Sequence, residues 1–230
     1  MNREQLIKEM GLGPIWKLRQ PAKKRGGEAA PALSPSVDER TAAIAAMSWE
    51  ELRQAVATCT ACELYKTRKQ AVLGVGDIHA DWLFVGEGPG AEEDERGEPF
   101  VGQAGKLLDA MLAAVGLKRG ENVYIANAVK CRPPNNRTPE AAETAACWPF
   151  LARQIELIRP KLIVALGKPA AQTLLQQEVT IAKARGIVHD FAGIPLIVTY
   201  HPAYLLRNLP DKAKAWEDLC FMRRTMAGLR

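Results

Sequence analysis

Four short apolar runs punctuate the chain, at residues 82–85, 123–126, 162–166 and 196–199. They lack polar alternation, which is the pattern of strands buried on both faces, as in a parallel sheet. Between them apolar residues recur at helical spacing over residues 103–115, 139–158 and 168–176, and a further helical pattern over 211–227 follows the last run. The start signals agree with this reading. Ser48, with Glu51 three residues on, opens a helix that runs to about Ala57. Thr138, Pro139 and the acidic Glu140 and Glu143 mark the start of the longest helix. Strand–helix alternation predicts an α/β fold, a three-layer α/β/α sandwich on a central four-stranded, mainly parallel sheet with right-handed crossovers. Ligands of such folds sit beyond the carboxyl ends of the strands. The unusual residues of this chain fall there.

Residues 1–46 carry a different pattern. Pro14, Pro21, Pro31 and Pro35 recur among Ala, Gly and Ser, with a basic cluster of Lys17, Arg19, Lys23, Lys24 and Arg25. Too little apolar surface is available there to offset the ordering entropy, so a mostly disordered arm is expected, with residues 47–230 as the folded domain. Within the arm, residues 2–12 have the makings of a short helix. Leu12, Ile15, Trp16 and Leu18 read either as a motif that docks on another protein or as a frayed tail, and the basic cluster adds nonspecific, salt-sensitive attraction to phosphates. Over the 230 residues, 31 Lys+Arg stand against 26 Asp+Glu, a formal charge of +5, so polyanions are not repelled. No apolar run approaches the roughly 18 residues of a membrane span. The first ten residues are too charged for a signal peptide, which predicts a cytoplasmic protein without a membrane partner.

The first strand runs into Gly86-Glu87-Gly88-Pro89-Gly90, followed by Glu92, Glu93, Asp94 and Glu95 and then Gly97-Glu98-Pro99-Phe100. A dinucleotide fingerprint needs a different glycine spacing opening directly into a helix, and four acids would repel its phosphates. A P-loop fails as well, because Gly105-Lys106 is followed by Leu107. What remains is a loop whose glycines, Gly88 among them, permit close backbone approach, with the carboxylate of Glu87 at a strand end. Structural and functional roles both stay open for it.

Five cysteines are present, at 59, 62, 131, 147 and 220. Cys59 and Cys62 form a close pair, Cys131 follows the second strand, and Cys147 lies in the helix after it. In a cytoplasmic chain such spacing points to metal more often than to disulfides. The residues alone leave an iron–sulfur cluster, zinc and no metal open. Cys220, on the last helix, reads as a small buried apolar residue.

Asn127 is polar in an otherwise apolar strand, so it caps a turn or reads a ligand. After the last strand come His201-Pro202-Ala203-Tyr204-Leu205-Leu206-Arg207. A histidine at a strand end is a structural hydrogen-bonder or a catalyst. The two leucines read as helix-start core or as a wedge for a base stack.

Taken together, Gly86-Glu-Gly-Pro-Gly90, the stretch from Gly97 to Gly105 with Phe100 inside it, Asn127-Ala-Val-Lys-Cys131-Arg-Pro-Pro and His201-Pro-Ala-Tyr-Leu-Leu-Arg207 resemble the motifs of one family, the family 4 uracil-DNA glycosylases. The resemblance covers roughly residues 48–228. It implies a 4Fe–4S cluster on Cys59, Cys62, Cys131 and Cys147, structural and without a redox step. It implies that Phe100 stacks on a flipped uracil, Asn127 reads its edge, His201 contacts its O2 and Glu87 serves water activation. Glu93 is the candidate for excluding thymine's methyl group. Leu205 or Leu206 becomes the wedge, with Arg132, Arg207, Lys106 and Arg137 as candidate phosphate contacts. The implied protein is a monofunctional DNA glycosylase acting as a monomer on single- or double-stranded uracil-containing DNA, associated with a prokaryotic nucleoid. The alternatives are a noncatalytic iron–sulfur DNA-binding module or a form that crosslinks to uracil-DNA. The latter resemblance rests on an inserted basic loop bearing a His, and residues 131–137 contain none.

Overall fold

The computed structural model describes residues 37–229. The expectations for residues 1–36, including the short helix, the Trp16 motif and the basic cluster, lie outside the described residues. The described chain begins with α1 (Val37–Ala45), which falls inside the segment expected to be an arm. Its Ile44 is buried beside Leu52, Val56 and Phe150, so the folded region starts about ten residues earlier than composition suggests. Next comes α2 (Trp49–Ala57), opened by the expected capping box: Glu51 N–H donates to Ser48 Oγ at 3.4 Å and Ser48 N–H to the Glu51 carboxylate at 2.7 Å.

The sheet has six strands rather than four, in the order β1-β3-β2-β4-β6-β5. The four expected strands form its parallel centre: β2 (Trp82–Gly86), β3 (Val123–Asn127), β4 (Leu162–Leu166) and β6 (Ile194–Thr199). Two antiparallel edge strands complete it, β1 (Val75–Gly76) on β3 and β5 (Val188–Phe191) on β6. These two lack long apolar runs because an edge strand has one neighbour and a half-exposed surface.

Helices cover both faces, and the sheet residues divide between them with period two. Phe84, Ile125, Val164 and Ile197 face α4 (Gln103–Ala114) and α9 (Asp211–Gly228). Val85, Tyr124, Ala165 and Val198 face α5 (Ala141–Ile158) and α6 (Lys168–Leu175). Helix α5 starts two residues later than Pro139 implies, with Glu140 as its cap. Three short helices lie in the connections: α3 (Ala91–Arg96) in the acidic run, α7 (Ile181–Ala184), and α8 (Pro202–Arg207) after β6. Among the described residues no helix is long and apolar enough to cross a membrane.

Candidate active site

The carboxyl ends of β2, β3 and β6 open onto a cleft of about 750 Å³ whose lining includes Glu87, Gly88, Phe100, Asn127 and His201. Parallel topology brings these scattered positions to one edge of the sheet. Asn127 is the last residue of β3, in register with Gly86 of β2. Its side-chain Oδ1 is the buried polar side-chain atom that lacks a hydrogen-bond partner among the described residues. Such an orphan costs about 1–3 kcal/mol. Because Asn127 lines the cleft, this oxygen is free to accept a hydrogen bond from a donor that enters it. Gly86 makes the space, since a Cβ there would fall 2.4 Å from Oδ1 and 2.6 Å from the Phe100 ring.

Phe100 holds a backbone φ of 55°, a left-handed conformation that bulky residues adopt only when their surroundings impose it. Arg119 imposes it by donating to the carbonyls of Pro99 and Phe100 at 2.9 and 2.8 Å while pairing with Asp109. Gly105 passes so near that a Cβ would sit 1.7 Å from the Phe100 carbonyl oxygen. The Phe100 ring is buried and stacks on the His201 imidazole, with centroids 5.4 Å apart and planes at 30°.

His201 caps α8. Its Nδ1 accepts from the Ala203 N–H at 3.1 Å, so in the neutral ring the proton resides on Nε2. Burial, and then the charge of Arg207, push its pKa down to about 4 against a smaller opposing pull from Glu93. The imidazole is therefore a neutral donor across the physiological range. Glu87 is half-buried, and burial raises its carboxyl above the usual range against the hydrogen bond of the Thr138 side chain. Its main chain is fixed by the Val129 N–H, which donates to the Glu87 carbonyl at 3.1 Å.

Several expected roles change. Glu93 lines the cleft, but Oε1 accepts from the Val101 and Gly102 N–H groups at 2.9 and 3.1 Å, and Oε2 from the Gly90 N–H at 3.1 Å. It is a tie between two loops rather than a free wall. Leu205 is 1% exposed and belongs to the core under β4 and α9, so it is not available as a wedge; Leu206 is 41% exposed. Arg137 grips Glu143 with both terminal nitrogens, at 2.8 and 2.6 Å, which binds it to the start of α5. Arg132 donates to Asn136 at 2.7 Å within the same loop. Arg207 lines the cleft near His201, and Lys106 is exposed on α4.

Cys59, Cys62, Cys131 and Cys147 line one second pocket together. Arg68 donates to Cys131 Sγ at 2.8 Å, the Lys130 N–H to Cys147 Sγ at 3.2 Å, and Arg40 reaches Cys59 Sγ at 3.9 Å. Among the described residues no group of three or more His, Cys, Asp or Glu is arranged to hold a single metal ion. Cys220, on α9, lies apart from this pocket. Arg40, Arg68, Arg119 and Thr138 were not legible as partners of the two sites. Lys130 left one signal, a charge in an apolar stretch beside a cysteine.

The match to a family model described as the uracil DNA glycosylase superfamily spans residues 73–220, which takes in the whole cleft. The chain belongs to that superfamily. It is 51% identical over 167 residues to a type-4 uracil-DNA glycosylase of Thermotoga maritima, covering 72% of this chain and 86% of the relative. A type-4 enzyme of Archaeoglobus fulgidus is 46% identical over 69% of this chain and 83% of its own length. A type-5 enzyme of Pyrobaculum aerophilum is 34% identical over 58% of the chain and 66% of its own. The high identity to type-4 members places this superfamily chain nearer to them than to that type-5 enzyme.

Proposed function

We propose that the protein is a monofunctional uracil-DNA glycosylase of base excision repair, which removes uracil from DNA and leaves an abasic site. The observation that carries this reading is the unpartnered Asn127 Oδ1. The amide matches uracil's edge, with Oδ1 accepting from N3–H and Nδ2 donating to O4. Cytosine presents the reverse pattern, and buried groups left unpaired in this way discriminate by about 10⁴ or more. Reaching the cleft requires the nucleotide to leave the stack, which a mismatch or a single strand makes easier. Phe100 gives the flipped ring a face to stack on. Exposed Leu206 is placed to fill the gap in the stack. Glu93 acts on thymine's methyl indirectly, by fixing the Gly90 loop.

In the reaction, the bond between the sugar C1′ and uracil N1 breaks and its electron pair passes to the base, spread onto O2. His201 Nε2–H donates to that oxygen and stabilises the charge as it develops. Glu87 orients a water toward C1′ and accepts its proton, while the hydroxyl joins the sugar. Its raised pKa makes the carboxylate a stronger base, and its charge offsets that of the oxocarbenium-like sugar. Lys168 lines the cleft and lies 3.9 Å from the Glu178 carboxylate, and the monofunctional reaction proposed here asks no Schiff base of it.

The cysteine pocket fits a 4Fe–4S cluster. Four thiols line it together, those of Cys131 and Cys147 buried, and thiol donors in fours suit an iron–sulfur cluster. Bound there, it would cross-link the segment after α2, the segment after β3, and α5, supplying structure rather than a reaction step. A monomer acting on chromosomal DNA is the working form of this reading.

The test is base release from oligonucleotides carrying one uracil, thymine or cytosine, followed by alkaline scission. Scission at uracil alone is expected, lost in Asn127→Ala with DNA binding kept. Intact, brown protein that cuts none of them refutes the reading and points to a binding module.

A further inference from the structure

The excision chemistry above leaves the most enclosed cation among the described residues without a task. Lys130 is 1% exposed, on the segment between Asn127 and Cys131. Its Nζ donates to the Asn127 main-chain carbonyl at 2.7 Å and to Gln154 Oε1. Its N–H donates to Cys147 Sγ at 3.2 Å, and its carbonyl accepts from the Val72 N–H at 2.7 Å. Gln154, on α5, is itself held by donating to the Leu73 carbonyl at 3.0 Å. One residue thus touches both the cysteine pocket and the side of Asn127 away from the cleft.

An apolar side chain would fill this space without the desolvation of an ammonium, so the charge needs a reason. Two lie within reach. One is the cysteine pocket, which Lys130 lines and where its main-chain N–H donates to Cys147 Sγ. The other is the Asn127 carbonyl, which belongs to the last peptide of β3. Turning that peptide swings Cα–Cβ and, with it, the amide that faces the cleft. A displacement of about 1 Å in a recognition group is enough to lower rates about 10²-fold.

We propose that Lys130 is a positioning residue for base recognition: it holds the Asn127 carbonyl from the cysteine side and so fixes the amide in the cleft. The proposal rests on the reading of Asn127 given above. Its consequence is that the cysteine centre contributes to uracil selection through one buried ammonium, although it lies outside the cleft.

Wild type, Lys130→Met and Gln154→Met are compared as full-length, cluster-loaded proteins. Three quantities are read: visible absorbance, affinity for DNA carrying an abasic-site analogue, and inhibition by free uracil. Both variants are expected to keep absorbance and abasic-DNA affinity within about twofold of wild type. Free uracil should inhibit Lys130→Met at least tenfold more weakly, and Gln154→Met, in which Lys130 loses one anchor, about threefold more weakly. Unchanged uracil inhibition in both overturns the proposal. So does a Lys130→Met protein that loses colour and uracil binding together while Gln154→Met behaves as wild type, because Lys130 would then serve only the cysteine centre. Should Lys130→Met fail to fold, Gln154→Met alone decides, with unchanged inhibition against it. A wild type that free uracil does not inhibit overturns the assignment of Asn127 itself, and this proposal with it.

Discussion

One methyl group placed on Gly86 would strike the cleft at its floor. The Gly86 backbone lies outside the left-handed region, so alanine is conformationally acceptable there and the effect of Gly86→Ala is steric. The new Cβ would stand 2.4 Å from Asn127 Oδ1 and 2.6 Å from Phe100 Cζ, where ordinary contact begins at 3.4 Å. The amide and the ring must each retreat by roughly 1 Å, since β2 is held between β3 and β4 and cannot slide away. A misplacement of that size lowers the rate about 100-fold, equivalent to about 2.7 kcal/mol of lost transition-state stabilisation. Overpacking a well-filled site also costs about 1–3 kcal/mol of folding stability. Single-turnover release of uracil from an oligonucleotide, with thermal unfolding measured on the same preparation, separates the two effects. A folded variant slowed 100-fold at 25 °C is the expected result. A folded variant within threefold of wild type would refute the placement of Asn127 and Phe100. Gly228→Ala, which meets nothing within 4 Å, is the matched control and should leave the rate unchanged.

Other outcomes follow from the same geometry. His201 has a folded-state pKa of about 4 against an ordinary 6.5, so it binds its proton more readily unfolded, and stability is lost as pH falls from 6.5 towards 4. Between pH 7.5 and 5 this amounts to about 2 kcal/mol, which a His201→Asn variant should not show in parallel denaturant titrations. Excision should stay flat from pH 8 to 5 where His201 is concerned; a rate that rises as pH drops through 6.5 would mean that the imidazolium is the active form. Leu205→Ala should lower stability by about 2–5 kcal/mol, whereas Leu206→Ala should leave unfolding unchanged and slow excision from duplex DNA more than from single strands. Cys147→Ala should abolish the visible absorbance and most of the soluble yield, measured by iron content per chain; full iron content would remove Cys147 from the ligand set.

The parallel centre of the sheet was legible because β2, β3, β4 and β6 are buried on both faces and announce themselves as unbroken apolar runs. The edge strands β1 and β5 were not, since two and four residues with mixed exposure carry no periodicity. Glu87, Phe100, Asn127 and His201 were legible as strand-end or glycine-loop oddities. Their supports were not: Arg119 grips Phe100 from nineteen residues away, and Gly86 clears room for two side chains that only the fold brings near. Leu205 and Leu206 are equivalent in sequence, and the turn of α8 alone decides which meets solvent. The acidic run was read as a bar to phosphates and Glu93 as the residue against thymine's methyl, yet α3 turns Glu93 inward onto three amides, a role that short-range pattern cannot reveal.

Helix α1 carries a practical consequence. Its Arg40 donates to the Ala146 carbonyl at 2.9 Å and lies 4.9 Å over the Phe150 ring while reaching towards Cys59. A chain trimmed at residue 46, where composition draws the boundary, would lose that guanidinium and the Ile44 side chain behind it. The trim would remove the cation beside Cys59 Sγ and the packing against Phe150, which lines the pocket of the four thiols. Such a shortened protein should fold around its sheet and still purify pale, bleaching on the bench while the longer chain keeps its colour.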